Sequence, residues 1–176
     1  MMNFNFNVAE LLFALPELFL LFAISLILLF DLFVSQRLKQ FTYYLTQLAL
    51  LITGFLAFNL IGENATIFSG TFVLDSLGST FKVFMLGFAI IALVYTRHYL
   101  KAHELLRNEY FILAMMSILG MMVMVSGHSL LTLYLGLEIM SLSLYALIAT
   151  ARDRASAIEA ALKYFVLGSI ASGLLL

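Results

Sequence analysis

Residues 130–150 read LLTLYLGLEIMSLSLYALIAT, twenty-one residues with one charge, Glu138. A hydrocarbon layer of ~30 Å is crossed by about 20 apolar residues rising 1.5 Å each, so this run can span a membrane as a helix. In lipid the backbone must satisfy its own N–H and C=O groups, which selects helix over an open strand. Working outward, five more stretches pass the same test: 11–33, 41–61, 79–95, 110–125 and 155–176. The sequence therefore predicts an all-α, polytopic transmembrane bundle of about six helices. It is read as one transmembrane domain over residues 1–176.

Composition points the same way. Hydrophobic residues make up 64% of the chain and charged residues 11%, with a mean hydropathy of +1.08. Soluble domains carry about 45–50% apolar and roughly 25% charged residues. A globular core of this size could not hide such an excess, because much of the surface must still face water. The net charge of −1, without any Lys/Arg block, gives no reason to expect nucleic acid. The absence of cysteine excludes disulfides, thiolate zinc and cysteine-ligated iron–sulfur clusters within the chain. His98, His103 and His128 stand at no metal-binding spacing, so neither metal nor haem is expected.

The connections alternate in charge. The loops at 34–40, 97–108 and 151–155 hold Arg37, Lys39, Arg97, Lys101, Arg107, Arg152 and Arg154, seven of the nine basic residues. The amino-terminal tail, Gly62–Gly78 and Ser126–Ser129 hold none outside the helices. The positive-inside rule places the basic loops in the cytoplasm and the amino terminus outside. No Lys or Arg precedes Arg37 and no small-residue cleavage pattern follows the first run, so that run reads as a helix and not a secretion signal. Pro16 and Glu17 mark an early helical turn, where proline costs little and an acid suits the helix dipole. Lys82 reads as a lysine snorkelling to the outer interface. The last run ends apolar at Leu176, with no interfacial anchor, which suggests that the natural chain continues.

Two charges do not fit a greasy bundle. Glu138 lies near the bilayer midplane, where an ionised carboxylate costs ~2.5–3.5 kcal/mol on insertion scales and normally faces a protein interior. Tyr134, Glu138, Ser141 and Tyr145, at i, i+4, i+7 and i+11, form one polar stripe. Lys163 lies eight residues, ~12 Å, inside the last run. It is poised either to meet Glu138 across the hairpin of the last two helices or to pair with Glu159 four residues earlier. Glu138 and Lys163 are thus the candidate proton-transfer residues. Ala157, Ala160, Ala161, Gly168, Ser169, Ala171, Ser172 and Gly173 give the last helix a close-packing surface. Arg152–Asp153–Arg154 reads as a topology anchor, and Met115, Met116, Met121, Met122 and Met124 read as packing.

The motifs LYLGLEIMSLSLYALIA (133–149) and EAALKYFVLGSIASG (159–173) lie within a stretch, Asn108–Gly173, that resembles the antiporter-like membrane subunits of bacterial NADH-quinone oxidoreductase, the respiratory complex I. Sister subunits and the related sodium/proton antiporters place an aromatic residue directly before the equivalent glutamate. Leu137 and Gly136 stand there, which favours the subunit N family. The resemblance implies a larger bundle whose first six helices this chain covers. It implies that Glu138 works with a lysine on a later, broken helix, and that Lys163 matches the family's helix-six lysine. It also implies that the chain binds no redox cofactor, with NADH, FMN, iron–sulfur clusters and quinone handled by partner subunits of the complex in the inner membrane. A subunit of a multi-subunit cation/proton antiporter and a purely structural membrane scaffold are the alternative readings.

Overall fold

The computed structural model describes residues 8–33, 40–103 and 105–175. In chain order the elements are α1 (Val8–Phe13), α2 (Leu15–Phe33), α3 (Gln40–Asn59), β1 (Ala65–Ile67), β2 (Phe72–Leu74), α4 (Ser76–Ala102), α5 (Asn108–Ser126), α6 (Leu130–Ile148) and α7 (Ala155–Leu175). Among the described residues, helices α2 to α7 are the six that are long and apolar enough to cross a membrane. The chain is a multi-pass transmembrane helix bundle.

Three details depart from the sequence reading. First, the initial run is not one helix, because the chain breaks at Ala14 between α1 and α2. Pro16 lacks an N–H, and its ring would collide with the carbonyl four residues back, so a helix arriving from Val8 cannot run through it unbroken. The helical bond resumes with the Leu18 N–H donating to the Ala14 carbonyl at 3.0 Å.

Second, α4 has 27 residues and continues past the apolar run 79–95 to include Arg97, His98 and Lys101, which the sequence predicts in the loop 97–108. At 1.5 Å per residue it is about 40 Å long, more than the hydrocarbon layer needs. Loss of hydropathy marks where a helix leaves lipid, and a helix need not end there, since basic side chains suit a carboxyl-terminal turn. Arg97 also spreads its guanidinium over Tyr43 and Tyr44 of α3, at 4.2 and 5.1 Å from the ring centres.

Third, the segment after α3 contains a small antiparallel hairpin, with Ala65 opposite Leu74, Thr66 opposite Val73 and Ile67 opposite Phe72. Its turn holds Phe68 and Ser69 at φ 51° and 56°, a left-handed conformation that is uncommon for residues with a Cβ. The Phe68 N–H donates to the Glu10 carboxylate at 3.1 Å, which ties the turn to α1. The hairpin is also strapped to the α5–α6 junction. Phe72 bridges to Gly127, and the His128 N–H donates to the Thr71 carbonyl at 3.0 Å.

The core lies among α2, α3, α4 and α5, where Leu20, Leu50, Leu86, Met115 and Met122 are fully or almost fully buried. The methionines of α5 thus serve packing. Helices α5 and α6 touch backbone to backbone at Gly120 and Gly136. A Cβ on Gly120 would stand 2.5 Å from the Met140 nitrogen, and one on Gly136 would stand 2.9 Å from the Gly120 carbonyl oxygen.

The end of the bundle opposite the hairpin is polar. Asn108 donates to Asp31 at 2.5 Å and to Thr42 at 3.2 Å, and Thr42 donates to Asp31 at 2.8 Å, so α2, α3 and α5 are knotted together. Arg107 pairs with Asp153 and Arg152 with Glu109, both at 2.7 Å, which fastens the α6–α7 connection to the start of α5. The Arg152–Asp153–Arg154 run is therefore also an interhelical clamp. Arg37 and Lys39, two of the residues on which the charge alternation rests, lie outside the described residues.

Candidate functional site

Glu138 is the ninth of nineteen residues in α6, about halfway along it. Helical rotation of about 100° per residue fixes its face. Gly136 abuts α5, and Glu138, two residues on, lies about 200° round from it. Tyr145, seven residues further, returns to within about 20° of Glu138. Tyr145 is buried, meets Tyr164 and Phe165 of α7 edge to face at 5.0 and 5.8 Å, and lies against Gly168, where a Cβ would fall 1.6 Å from its hydroxyl oxygen. The Glu138 stripe therefore belongs to the α7 side of α6.

Glu138 is half-buried, and its Oε2 atom is shielded from solvent without a hydrogen-bond partner among the described residues. The stripe does not supply one. The Ser141 hydroxyl donates to the Leu137 and Glu138 carbonyls at 2.8 and 3.3 Å, within its own helix. A shielded carboxyl oxygen with no partner is poorly suited to gluing helices together, because glue requires a satisfied bond.

Lys163 is not brought to that oxygen. Its ammonium meets Glu159 Oε1 at 2.5 Å, and both side chains are about two-thirds exposed. Depth does not separate Lys163 from Glu138. Lys163 is eight residues, ~12 Å, from the start of α7, and Glu138 is ten residues, ~15 Å, from the adjoining end of α6. Direction does. Ala161, Gly168 and Ser172 form the bundle-facing stripe of α7, and Lys163 lies about 200° round from Ala161. Of the two dispositions open to Lys163 in the sequence, the structure adopts the pair with Glu159.

Lys82 requires a correction. It does not snorkel: its side chain is 2% exposed and forms an ion pair with Glu17, itself 7% exposed. The Phe72 ring of the hairpin lies 5.2 Å from the ammonium. Glu17 does occupy the first turn of α2, but its carboxylate is directed to Lys82 on α4. The sequence held a faint signal for this pair, since Glu17 and Lys82 are opposite charges near the same end of the first and third spans. Among the described residues no group of three His, Cys, Asp or Glu side chains could hold a metal ion, and His103 packs on Tyr99 at 4.4 Å.

Comparison with known proteins fits this arrangement. Residues 127–176, which contain Glu138 and Lys163, match the family described as NADH:quinone oxidoreductase/Mrp antiporter, TM. The whole chain is 66% identical to NADH-quinone oxidoreductase subunit N of Ruthia magnifica subsp. Calyptogena magnifica, of which it covers 37%. It is 50% identical, over 98% of its length, to subunit N of Halorhodospira halophila, of which it covers 36%. The chain thus spans about a third of the length of the curated relatives it matches. In structure it resembles a chain of respiratory complex I from Thermus thermophilus with bound aureothin, with a TM-score of 0.72 and 27% identity, covering 90% of this chain and 34% of that one. Fold and matches together define an antiporter-like membrane subunit of the complex I type. Within that class the full-length similarity is to the NADH-quinone oxidoreductase subunit N family, of whose matched members this chain spans about a third.

Proposed function

We propose that this chain is part of a proton-translocating membrane subunit of NADH-quinone oxidoreductase, and that Glu138 is its proton-transfer group. The observation that carries the reading is the shielded, unpartnered Glu138 oxygen halfway along a membrane helix. Intramembrane carboxyls of this kind mark ion and proton pathways. The scaffold alternative would leave that oxygen unexplained. The antiporter alternative is less well supported, because the full-length matches carry the subunit N name and Leu137, not an aromatic residue, precedes Glu138.

In this reading the neighbouring membrane subunits of the complex are the partners, and NADH oxidation, flavin, iron–sulfur and quinone chemistry take place in other subunits. The chain lies in the inner membrane with its amino terminus and hairpin on the periplasmic side, because the described basic clusters, Arg97, Lys101, Arg107, Arg152 and Arg154, all gather at the opposite end. Quinone reduction elsewhere in the complex changes the charge or conformation around Glu138, and the carboxyl takes up or releases a proton in response. Lys163, near the same depth on the outer face of α7 and paired with Glu159, holds positive charge beside this path.

The test is Glu138→Gln in the complete complex, reconstituted in sealed vesicles. Proton translocation is expected to fall about tenfold or more while the complex assembles normally. Normal proton-to-electron coupling in that variant would refute the role.

A further inference from the structure

A second buried polar site lies apart from Glu138, at the hairpin end of the bundle. Glu17 of α2 and Lys82 of α4 form an ion pair almost wholly removed from solvent. Such pairs are a weak source of stability, because desolvation offsets most of their attraction and apolar replacements are often tolerated as well or better. Stability alone therefore gives little reason for the pair. Ser79, three residues before Lys82 on the same face of α4, is 1% exposed, and its hydroxyl has no partner among the described residues. An ammonium offers three donors, a carboxylate about four acceptor positions and a hydroxyl both kinds, so the site holds far more hydrogen-bonding capacity than its one ion pair uses.

The site has a lid. Phe72 lies over the ammonium and packs with Ala14 and Ile67. Its hairpin has the left-handed turn at Phe68 and Ser69. The same hairpin is strapped to Gly127 and His128. The next residue, Ser129, caps α6 by accepting from the Thr132 N–H at 3.1 Å. The lid over Lys82 is thus tied to the first turn of the helix that bears Glu138. The other ionisable groups of the surrounding elements are occupied or turned outward: Glu10 holds the Phe68 N–H, Asp75 caps α4 through the Gly78 N–H, and His128 is exposed.

We propose that Glu17, Lys82 and Ser79 form a second proton-handling site, lidded by the 65–74 hairpin and joined through residues 127–129 to the Glu138 helix. The proposal rests on the reading of Glu138 as a proton carrier. The step balances without any further reactant. The Lys82 ammonium gives its proton to the Glu17 carboxylate, leaving a neutral amine and a neutral acid. Glu17 then releases that proton to the aqueous face beside the hairpin. Lys82 takes up another proton from water on the opposite, bundle side, and Ser79, one turn nearer the hairpin on α4, lies on the release path, so that one proton has moved toward that face.

The experiment compares proton translocation and NADH oxidation by the complete complex in sealed vesicles for three variants: Glu17→Leu/Lys82→Met, Ser79→Ala and Glu138→Gln. The double variant removes both charges together and is expected to assemble. Its translocation rate is expected to fall at least about fivefold, and that of Ser79→Ala about twofold. A wild-type rate in the assembled double variant, alongside a loss in Glu138→Gln, overturns the second site and leaves the Glu138 reading standing. Wild-type rates in both overturn that reading too. Should the double variant not assemble, Ser79→Ala, which removes no charge, decides: an unchanged rate overturns the proposal and a fall supports it.

Discussion

Among the described residues, two lysine–glutamate pairs sit in opposite surroundings. Glu17 and Lys82 join non-consecutive helices, α2 and α4, inside the bundle and beneath an aromatic lid. Glu159 and Lys163 sit one turn apart on the outer face of α7, with most of their side-chain surface exposed. The chemistry is the same and the physical meaning differs. An exposed i,i+4 pair is a local, weak contact. A buried pair makes each partner depend on the other, because removing one strands a desolvated charge.

This contrast can be broken by substitution. The largest stability effect is expected from Lys82→Met, which leaves the Glu17 carboxylate buried without its cation. Destabilisation of about 3–5 kcal/mol is predicted, measured as a lowered thermal or denaturant midpoint of the detergent-solubilised protein. A midpoint near wild type would mean that the pair is reached by water and the buried description is wrong. The smallest effect is expected from Lys163→Met. After allowance for solvent screening, the loss of its pair with Glu159 should cost less than about 1 kcal/mol in the same measurement. A cost as large as that of Lys82→Met would show that Lys163 is held inside the bundle, and would erase the distinction between the two pairs.

Much of this architecture is legible in the sequence, and the remainder fails for identifiable reasons. Six apolar runs predict six spans because lipid allows no other backbone arrangement. Glu138 stands out because a lone carboxyl in the run Leu130–Thr150 has no cheap explanation. The hairpin is hidden because strands of three residues carry no usable periodicity. The end of α4 is hidden because hydropathy reports lipid, not helix. The Glu17–Lys82 pair is hidden because its partners are 65 positions apart on different helices. The same holds for the knot of Asp31, Thr42 and Asn108. The sequence places Lys163 at nearly the right depth for Glu138, but its outward direction depends on how α7 seats Ala161 and Gly168 against α6.

A proton-transfer role requires Glu138 to change its protonation in the working complex. Infrared difference spectroscopy of the complete complex, recorded during turnover with wild-type protein and with Glu138→Gln, measures this directly. A protonated-carboxyl band that rises or falls with turnover in the wild type and is missing from the variant is the predicted result. Identical difference spectra from the two proteins would contradict it.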